Sequence, residues 1–445
     1  MSVNLDQIAE MDRNCVLHPF THLKDFASGK MGDPTIVETG KGIRIQDAHG
    51  RELIDGFAGL YCVNVGYGRT EVDELAILSD RLVKMAPGKM SKVFYGMSGS
   101  DANETQAKLV WYYSNLRGKP NKKKIISRER GYHGCSVVSG SMTGMSFYHD
   151  HMDLPRAGIL HTGAPHYYWG AEAGETEREF SKRRAEELEA LILREDPDTI
   201  GAFIAEPVLG TGGIIPPPQG YWEDVQKVLK KYDILLIADE VITGFGRTGS
   251  MFGSQHYGIE PDLITVAKGL TSAYFPLSGA IVGDKVYKVL EEGADRVGAF
   301  SHGYTYSGHP IGAAAANAVL NIVEQEDLPG NARAVGSYFQ EQLKAKFAQL
   351  PIVGEVRGVG LMGAIEFVAD REKKTRFKPN LTVGARVSKA ARERGLIARA
   401  MPHGDILGFA PPLVTTRAEV DDIVAITEAA VRAVMDDLVR AGETL

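Results

Sequence analysis

Ile234-Leu-Leu-Ile-Ala-Asp-Glu-Val-Ile242 and, some twenty residues on, Leu263-Ile-Thr-Val-Ala-Lys268 decide how this chain reads. Each opens as a short apolar run rich in Ile, Leu and Val, the pattern of a strand buried on both faces. Each run ends on a charged residue, Asp239 in one and Lys268 in the other. In an open parallel sheet, ligands bind outside the carboxyl ends of the strands. Two neighbouring strands of this kind present a carboxylate and an amine to one crevice. Taken singly, such a residue is an ordinary solvated strand end. The pair gains weight from the glycines beside it. Thr243-Gly-Phe-Gly-Arg-Thr-Gly249 and Gly269 bring glycine where backbone must pass close to something else.

A carboxylate and an amine so placed are what pyridoxal phosphate needs. The lysine forms a Schiff base with the aldehyde, and the carboxylate partners the pyridinium nitrogen. A third element fits the same cofactor. Ser98-Gly-Ser-Asp-Ala-Asn-Glu104 lies between a predicted strand, Val93–Gly96, and a helix predicted to start at Asp101. Asp101 caps that helix, with Glu104 three residues on. Gly99 and Ser100 then offer backbone N–H groups at the positive end of the helix dipole, an anion site. Gly358-Val-Gly-Leu-Met-Gly363 matches the dinucleotide fingerprint in letters, but Ala364-Ile-Glu-Phe-Val368 after it reads as a strand and not the required helix. No nicotinamide or flavin site is expected there.

Further strands are predicted at Lys124–Ser127, Ala202–Ala205, Ile234–Ala238, Leu263–Ala267 and Gly279–Val282, with helices such as Thr176–Arg194 between some of them. That alternation implies an α/β fold, a mostly parallel sheet covered by helices. Gly42–Gln46 and Arg51–Asp55 flank the turn Asp47–Gly50 as a hairpin. The expected division is an N-terminal arm and hairpin over 1–65, a large domain over 66–328 and a smaller α+β domain over 329–445. The last carries strands at Val359–Phe367 and Leu396–Ala400. It closes on Thr416–Leu438, whose Val420, Ile423, Ile426, Ala430, Val431 and Val434 form an apolar helical stripe.

Composition narrows the classes. The 445 residues are 44% hydrophobic, enough for a large core and, by length, two or three domains. The net charge of −7, from 50 basic and 57 acidic residues, argues against nucleic acid or an anionic membrane as the main partner. Lys122-Lys-Lys124 is expected to be a solvated strand entrance. Cys15, Cys62 and Cys135 are scattered and odd in number, which suggests neither a disulfide framework nor a zinc site. With no apolar signal region in the first ten residues and no run long enough to span a bilayer, a cytoplasmic protein is expected.

These motifs carry a family resemblance. Asp55-Gly-Phe-Ala-Gly-Leu-Tyr-Cys-Val-Asn-Val-Gly-Tyr-Gly68, Ser98–Glu104, Gly131-Tyr-His-Gly134, Ala205-Glu-Pro-Val208, Ala238–Gly249, Ala267-Lys-Gly269, His302-Gly-Tyr-Thr-Tyr-Ser-Gly-His-Pro310, Ala398-Arg-Ala400 and Ala410-Pro-Pro412 occur in family order along nearly the whole chain. The chain resembles class III pyridoxal-phosphate aminotransferases, particularly the omega-amino acid:pyruvate and amine:pyruvate group. The resemblance implies a fold-type-I homodimer with active sites at the subunit interface. It makes Lys268 the Schiff-base lysine and Asp239 the partner of the pyridinium nitrogen. Gly99 and Ser100 would bind the phosphate, completed by Thr305 of the second protomer. Tyr132 would cover one face of the ring and Val241 the other. Glu206 would belong to the surrounding hydrogen-bond network. Arg399 would take the substrate carboxylate, and Tyr61 would stand where the family has an aromatic residue, often Trp, in the substrate pocket.

The activity so implied moves an amino group from an omega-amino acid, diamine or primary amine to pyruvate by a ping-pong route. An aminomutase or decarboxylating transaminase of the same class is the nearer alternative, and a cofactor-free binding protein on this fold the more distant one. One departure stands out. Between Val72 and Met85 the chain is about two dozen residues shorter than the family, in a segment that gives relatives aromatic contacts to the neighbour's substrate pocket. Because the motifs on both sides are intact, the expectation is a segment that exists but is disordered, as in a cofactor-free form; an intact mass of 48.4 kDa would instead make the deletion real.

Overall fold

The computed structural model describes residues 5–18, 21–30, 36–41, 44–47, 50, 52–54 and 73–443. Its strands, in chain order, are β1 (Val37–Lys41), β2 (Arg44–Asp47), β3 (Glu52–Ile54), β4 (Met90–Gly96), β5 (Lys124–Arg128), β6 (Ile159–Thr162), β7 (Ile200–Ala205), β8 (Leu235–Asp239), β9 (Leu263–Val266), β10 (Ser278–Gly283), β11 (Val353–Val359), β12 (Met362–Phe367), β13 (Arg399–Ala400) and β14 (Ile406–Phe409). The chain divides into two units. The first takes Met1–Lys123 and Pro261–Asn321, the second Lys124–Glu260 and Ile322–Leu445.

In the first unit, β1, β2 and β3 form an antiparallel meander, so the predicted hairpin is present. β10 lies between β4 and β9 and runs antiparallel to both. The helix Gly99–Leu116 buries Ala102, Asn103, Thr105, Gln106, Leu109, Val110 and Tyr113. That spacing of three and four puts one face of the helix inward. Of the polar residues on that face, Asn103 and Gln106 bond to β9. Asn103 Oδ1 accepts from Thr265 Oγ1 at 2.8 Å, and Gln106 Nε2 donates to the Ile264 carbonyl at 2.9 Å. The helix is thus fastened to the strand that leads to Lys268.

In the second unit, β8, β7, β5 and β6 are adjacent in that order and all parallel. Ile126, Phe203 and Leu236 from three of them pack with Leu188 and Ile192 of the helix Glu177–Arg194 and with Val225 and Leu229 of Tyr221–Lys231. Each such side chain contributes about 1.5–3 kcal/mol on burial. A separate antiparallel sheet, β11-β12-β14-β13, buries Ile365, Phe367, Leu407 and Phe409 against Phe339, Leu343, Val431 and Val434 from the helices Leu328–Phe347 and Arg417–Arg440.

Four expectations are corrected. The helix after β4 starts at Gly99 and not Asp101. Ser98 is its cap, and Asp101, at the third helical position, closes the capping box. Val359–Phe367 is no single strand, because the chain turns at Gly360 (φ +53°) between β11 and β12. The glycine-rich Gly358–Gly363 stretch is that hairpin, and a strand does come after it. Leu396–Ala400 shrinks to Arg399–Ala400, a two-residue edge pairing with β14. Last, the chain is 445 residues long, and Asp73–Met85 is one uninterrupted helix. The shortness of this region therefore belongs to the chain and is not a disordered segment.

Candidate active site

Asp239 ends β8, buried at 3% exposure. Its Oδ2 lies 2.8 Å from Nδ1 of the buried His133, and its Oδ1 accepts the Val241 N–H at 3.1 Å. His133 is held in turn: its N–H donates to Thr143 Oγ1 at 2.9 Å, and that hydroxyl donates to the Gly134 carbonyl at 3.0 Å. One strand end and the Gly131–Gly134 loop thereby fix the carboxylate in place. Tyr132, in the same loop, is half-buried. Its N–H donates to Glu206 Oε1 at 3.1 Å, and Glu206 Oε2 accepts the Gly210 N–H at 2.8 Å. Burial pushes the Glu206 carboxyl above its usual range. Burial also raises the Tyr132 phenol, against the pull of the nearby Arg399 cation. The Tyr132 ring meets Tyr148 at 5.3 Å. Arg399 is exposed on β13. The second unit thus brings together Asp239, Val241, Tyr132, Glu206 and the charge of Arg399.

The neighbouring Glu240 does different work. It is fully buried and accepts from Thr243 Oγ1 at 2.6 Å and from the N–H groups of Gly253 and Ser254 at 2.9 and 2.6 Å. It ties the two ends of the glycine-rich loop region together, and so holds the chain just after Asp239.

In the first unit, Gly99 and Ser100 are the first two residues of their helix, where no helical carbonyl is available to an N–H. The Asp101 carboxylate accepts the N–H groups of Met97 and Ser98 at 2.9 and 3.1 Å and the Ser278 hydroxyl at 2.9 Å. A Cβ at Gly96 would sit 2.4 Å from that carboxylate, so any other residue there must push the carboxylate aside. Lys268 comes after β9 with φ +41°, a left-handed backbone unusual for a residue with a side chain. Thr305 is exposed at a turn. Tyr61, with the whole Asp55–Gly68 motif, lies outside the described residues.

Sequence reasoning missed the roles of His133, Asn103 and Gln106. His133 stood inside a quoted motif without a function. Asn103 and Gln106 carried a readable signal, two polar residues three apart on the apolar face of a helix.

The class-III aminotransferase family model matches residues 68–431. An uncharacterised aminotransferase, y4uB, of Sinorhizobium fredii is 80% identical, covering all of both chains. That alignment spans 467 positions against the 445 residues here, so at least 22 positions face no residue of this chain. A diaminobutyrate–2-oxoglutarate transaminase of Halomonas elongata is 58% identical over 99% of each chain. Among solved structures, the omega transaminase of Pseudomonas jessenii in complex with PMP is 41% identical, with a TM-score of 0.80 over 98% of this chain and 99% of that one. These matches show the family: the chain is a member of the class-III aminotransferases, enzymes of the fold-type-I architecture that depend on pyridoxal phosphate.

Proposed function

We propose that this enzyme transfers an amino group from an omega-amino acid, a diamine or a primary amine to pyruvate in a ping-pong reaction, as a homodimer with shared active sites. The buried Asp239, held on both oxygens by His133 and Val241, carries the reading. The donor set suits the cofactor: a desolvated carboxylate for a ring N–H, an amine for an aldehyde, and a helix N-terminus with hydroxyls for a phosphate. Pyridoxal phosphate, when bound, supplies the aldehyde and a protonated ring able to accept electron density.

The residues divide the rest of the work. Asp239 keeps the proton at the ring nitrogen, and His133 holds Asp239 at the angle to do so. Lys268 would hold the cofactor aldehyde and, as a free amine beside the substrate Cα, would take and return its proton as general base and acid. Glu206 fixes the backbone of Tyr132, whose ring would cover one face of the cofactor, with Val241 on the other. Gly99 and Ser100 hold the phosphate, with Thr305 from the second protomer. Arg399 offers a planar fork to the substrate carboxylate.

The test is the absorption spectrum after incubation with pyridoxal phosphate. A yellow band that bleaches with an omega-amino acid or amine, and returns with pyruvate, supports the proposal. A band unchanged in Lys268→Ala sinks the lysine assignment. Because the Halomonas relative is named for 2-oxoglutarate, that acid belongs in the same assay. Recovery with 2-oxoglutarate and none with pyruvate overturns the acceptor while leaving the chemistry standing.

A further inference from the structure

The loop that carries Thr305 is wired to the helix that begins at Gly99. Thr105, nearly two turns into that helix and fully buried, donates its hydroxyl proton to the Asp101 carbonyl at 3.0 Å. A hydroxyl has one proton, so the 2.9 Å contact between Thr105 Oγ1 and His302 Nε2 must be donated by the histidine. The other ring nitrogen confirms the direction. Lys108 Nζ, which can only donate, lies 2.8 Å from His302 Nδ1. His302 is therefore the neutral ring protonated at Nε2. Burial and the Lys108 charge press its pKa down to about 4, which keeps it so.

Tyr304 adds a second tie. Its hydroxyl donates to the same Asp101 carbonyl at 3.1 Å and lies 3.3 Å from Thr105 Oγ1. Its backbone closes the turn: Tyr304 N–H donates to Ser307 Oγ at 3.2 Å, and Ser307 N–H donates to the Tyr304 carbonyl at 3.1 Å. Thr305 is the exposed corner of that turn. Phe94 of β4 stacks on His302 at 4.9 Å and meets the edge of Tyr304 at 6.0 Å. Asp101 is the hub. Its carboxylate holds the N–H groups just before Gly99, and its carbonyl holds the loop.

We propose that Thr105, His302 and Tyr304 are positioning residues that fasten the Thr305 turn to the first turns of the Gly99–Leu116 helix, so that an anion at Gly99 and Ser100 and the order of the turn are coupled. The inference rests on the phosphate reading above. If Thr305 serves the second protomer, each subunit's own phosphate steadies the residue it lends to the other.

Hydrogen–deuterium exchange on the full-length apo protein, with and without saturating inorganic phosphate, tests this directly. Phosphate should slow exchange at 301–309 several-fold in the wild type and in Thr105→Ser, which keeps the hydroxyl. In Thr105→Val and Tyr304→Phe the slowing should vanish, while exchange in the helix Arg417–Arg440 stays as in the wild type. The same two variants should release pyridoxal phosphate roughly fivefold faster, the effect of one lost hydrogen bond. Equal slowing in all four proteins overturns the coupling. So does phosphate protection at 97–101 in the wild type without any at 301–309, which leaves the phosphate reading intact. No protection at 97–101 refutes that reading and this inference with it.

Discussion

Asp239 shows what a single residue needs before it can act. A carboxylate in a buried strand end is costly unless it is hydrogen-bonded, and here one oxygen meets the His133 ring and the other accepts the Val241 N–H. Asp239→Asn should keep the fold and lower kcat on the order of 10²-fold or more, since it removes a preorganised charge. Steady-state kinetics with cofactor in excess measures this, and a loss smaller than tenfold would remove Asp239 from the chemistry. Arg399 makes a narrower prediction. Arg399→Ala should cut kcat/KM for pyruvate on the order of tenfold to a hundredfold, the worth of a charge-assisted pair, and leave a simple amine donor far less affected. Equal losses for both would refute its role. At this scale the positions of the acid and the amine, at or just after the ends of buried strands, were legible, because each follows a short apolar run. His133 could not be read, because nothing local says which of several loop histidines turns toward a strand end.

At the scale of the element, the helix Gly99–Leu116 is the part most tightly specified. Gly96 lets β4 pass beside the Asp101 carboxylate, and Gln106 anchors the helix to the Ile264 carbonyl of β9. Gly96→Ala should cost about 1–3 kcal/mol from crowding. Gln106→Leu should cost about 1–3 kcal/mol by leaving a buried carbonyl unpaired. Denaturant unfolding would measure both, and a loss under half a kcal/mol in either would show that the neighbour simply gives way. Strands buried on both faces, such as β7 and β8, were legible to within two residues, since uninterrupted apolar runs have sharp ends. β6, Ile159–Thr162, went unseen because only two of its four residues are apolar. The direction of β10 was also beyond local pattern. An apolar run looks the same parallel or antiparallel, and only the path of the chain between strands decides it.

For the whole molecule, several histidines are kept neutral by burial. The pKa values of His166, His302 and His403 are each pressed down to about 4, and His161 and His256 are lowered as well, in every case chiefly by desolvation. Glu355, beside His166 and Arg357, is held down at about 2. The unfolded chain would therefore bind protons near pH 6.5 that the native state refuses until about pH 4. Stability from these histidines is complete above pH 6.5 and is lost as the pH falls from there to about 4, while that from Glu355 is lost only below its ordinary value of 4.5. The melting temperature should decline steadily across that window. A flat profile between pH 7 and 5 would show that these rings take up protons without unfolding. None of this was visible from twelve scattered histidines. Nor was the division of the chain, which leaves the first unit at Lys123 and returns at Pro261. Long-range returns of that kind are set by packing and leave no mark in a local window.

Lys268 sits in a left-handed backbone conformation that costs a residue with a side chain roughly 1–2 kcal/mol and glycine almost nothing. A library selected for resistance to heat alone, with no demand for turnover, should accept glycine at 268 before most other sites. The survivors would be hardier proteins with no amine to offer. On the role proposed for Lys268, reaction and robustness compete at that position, and its occupant after such a selection records which of the two was being asked for.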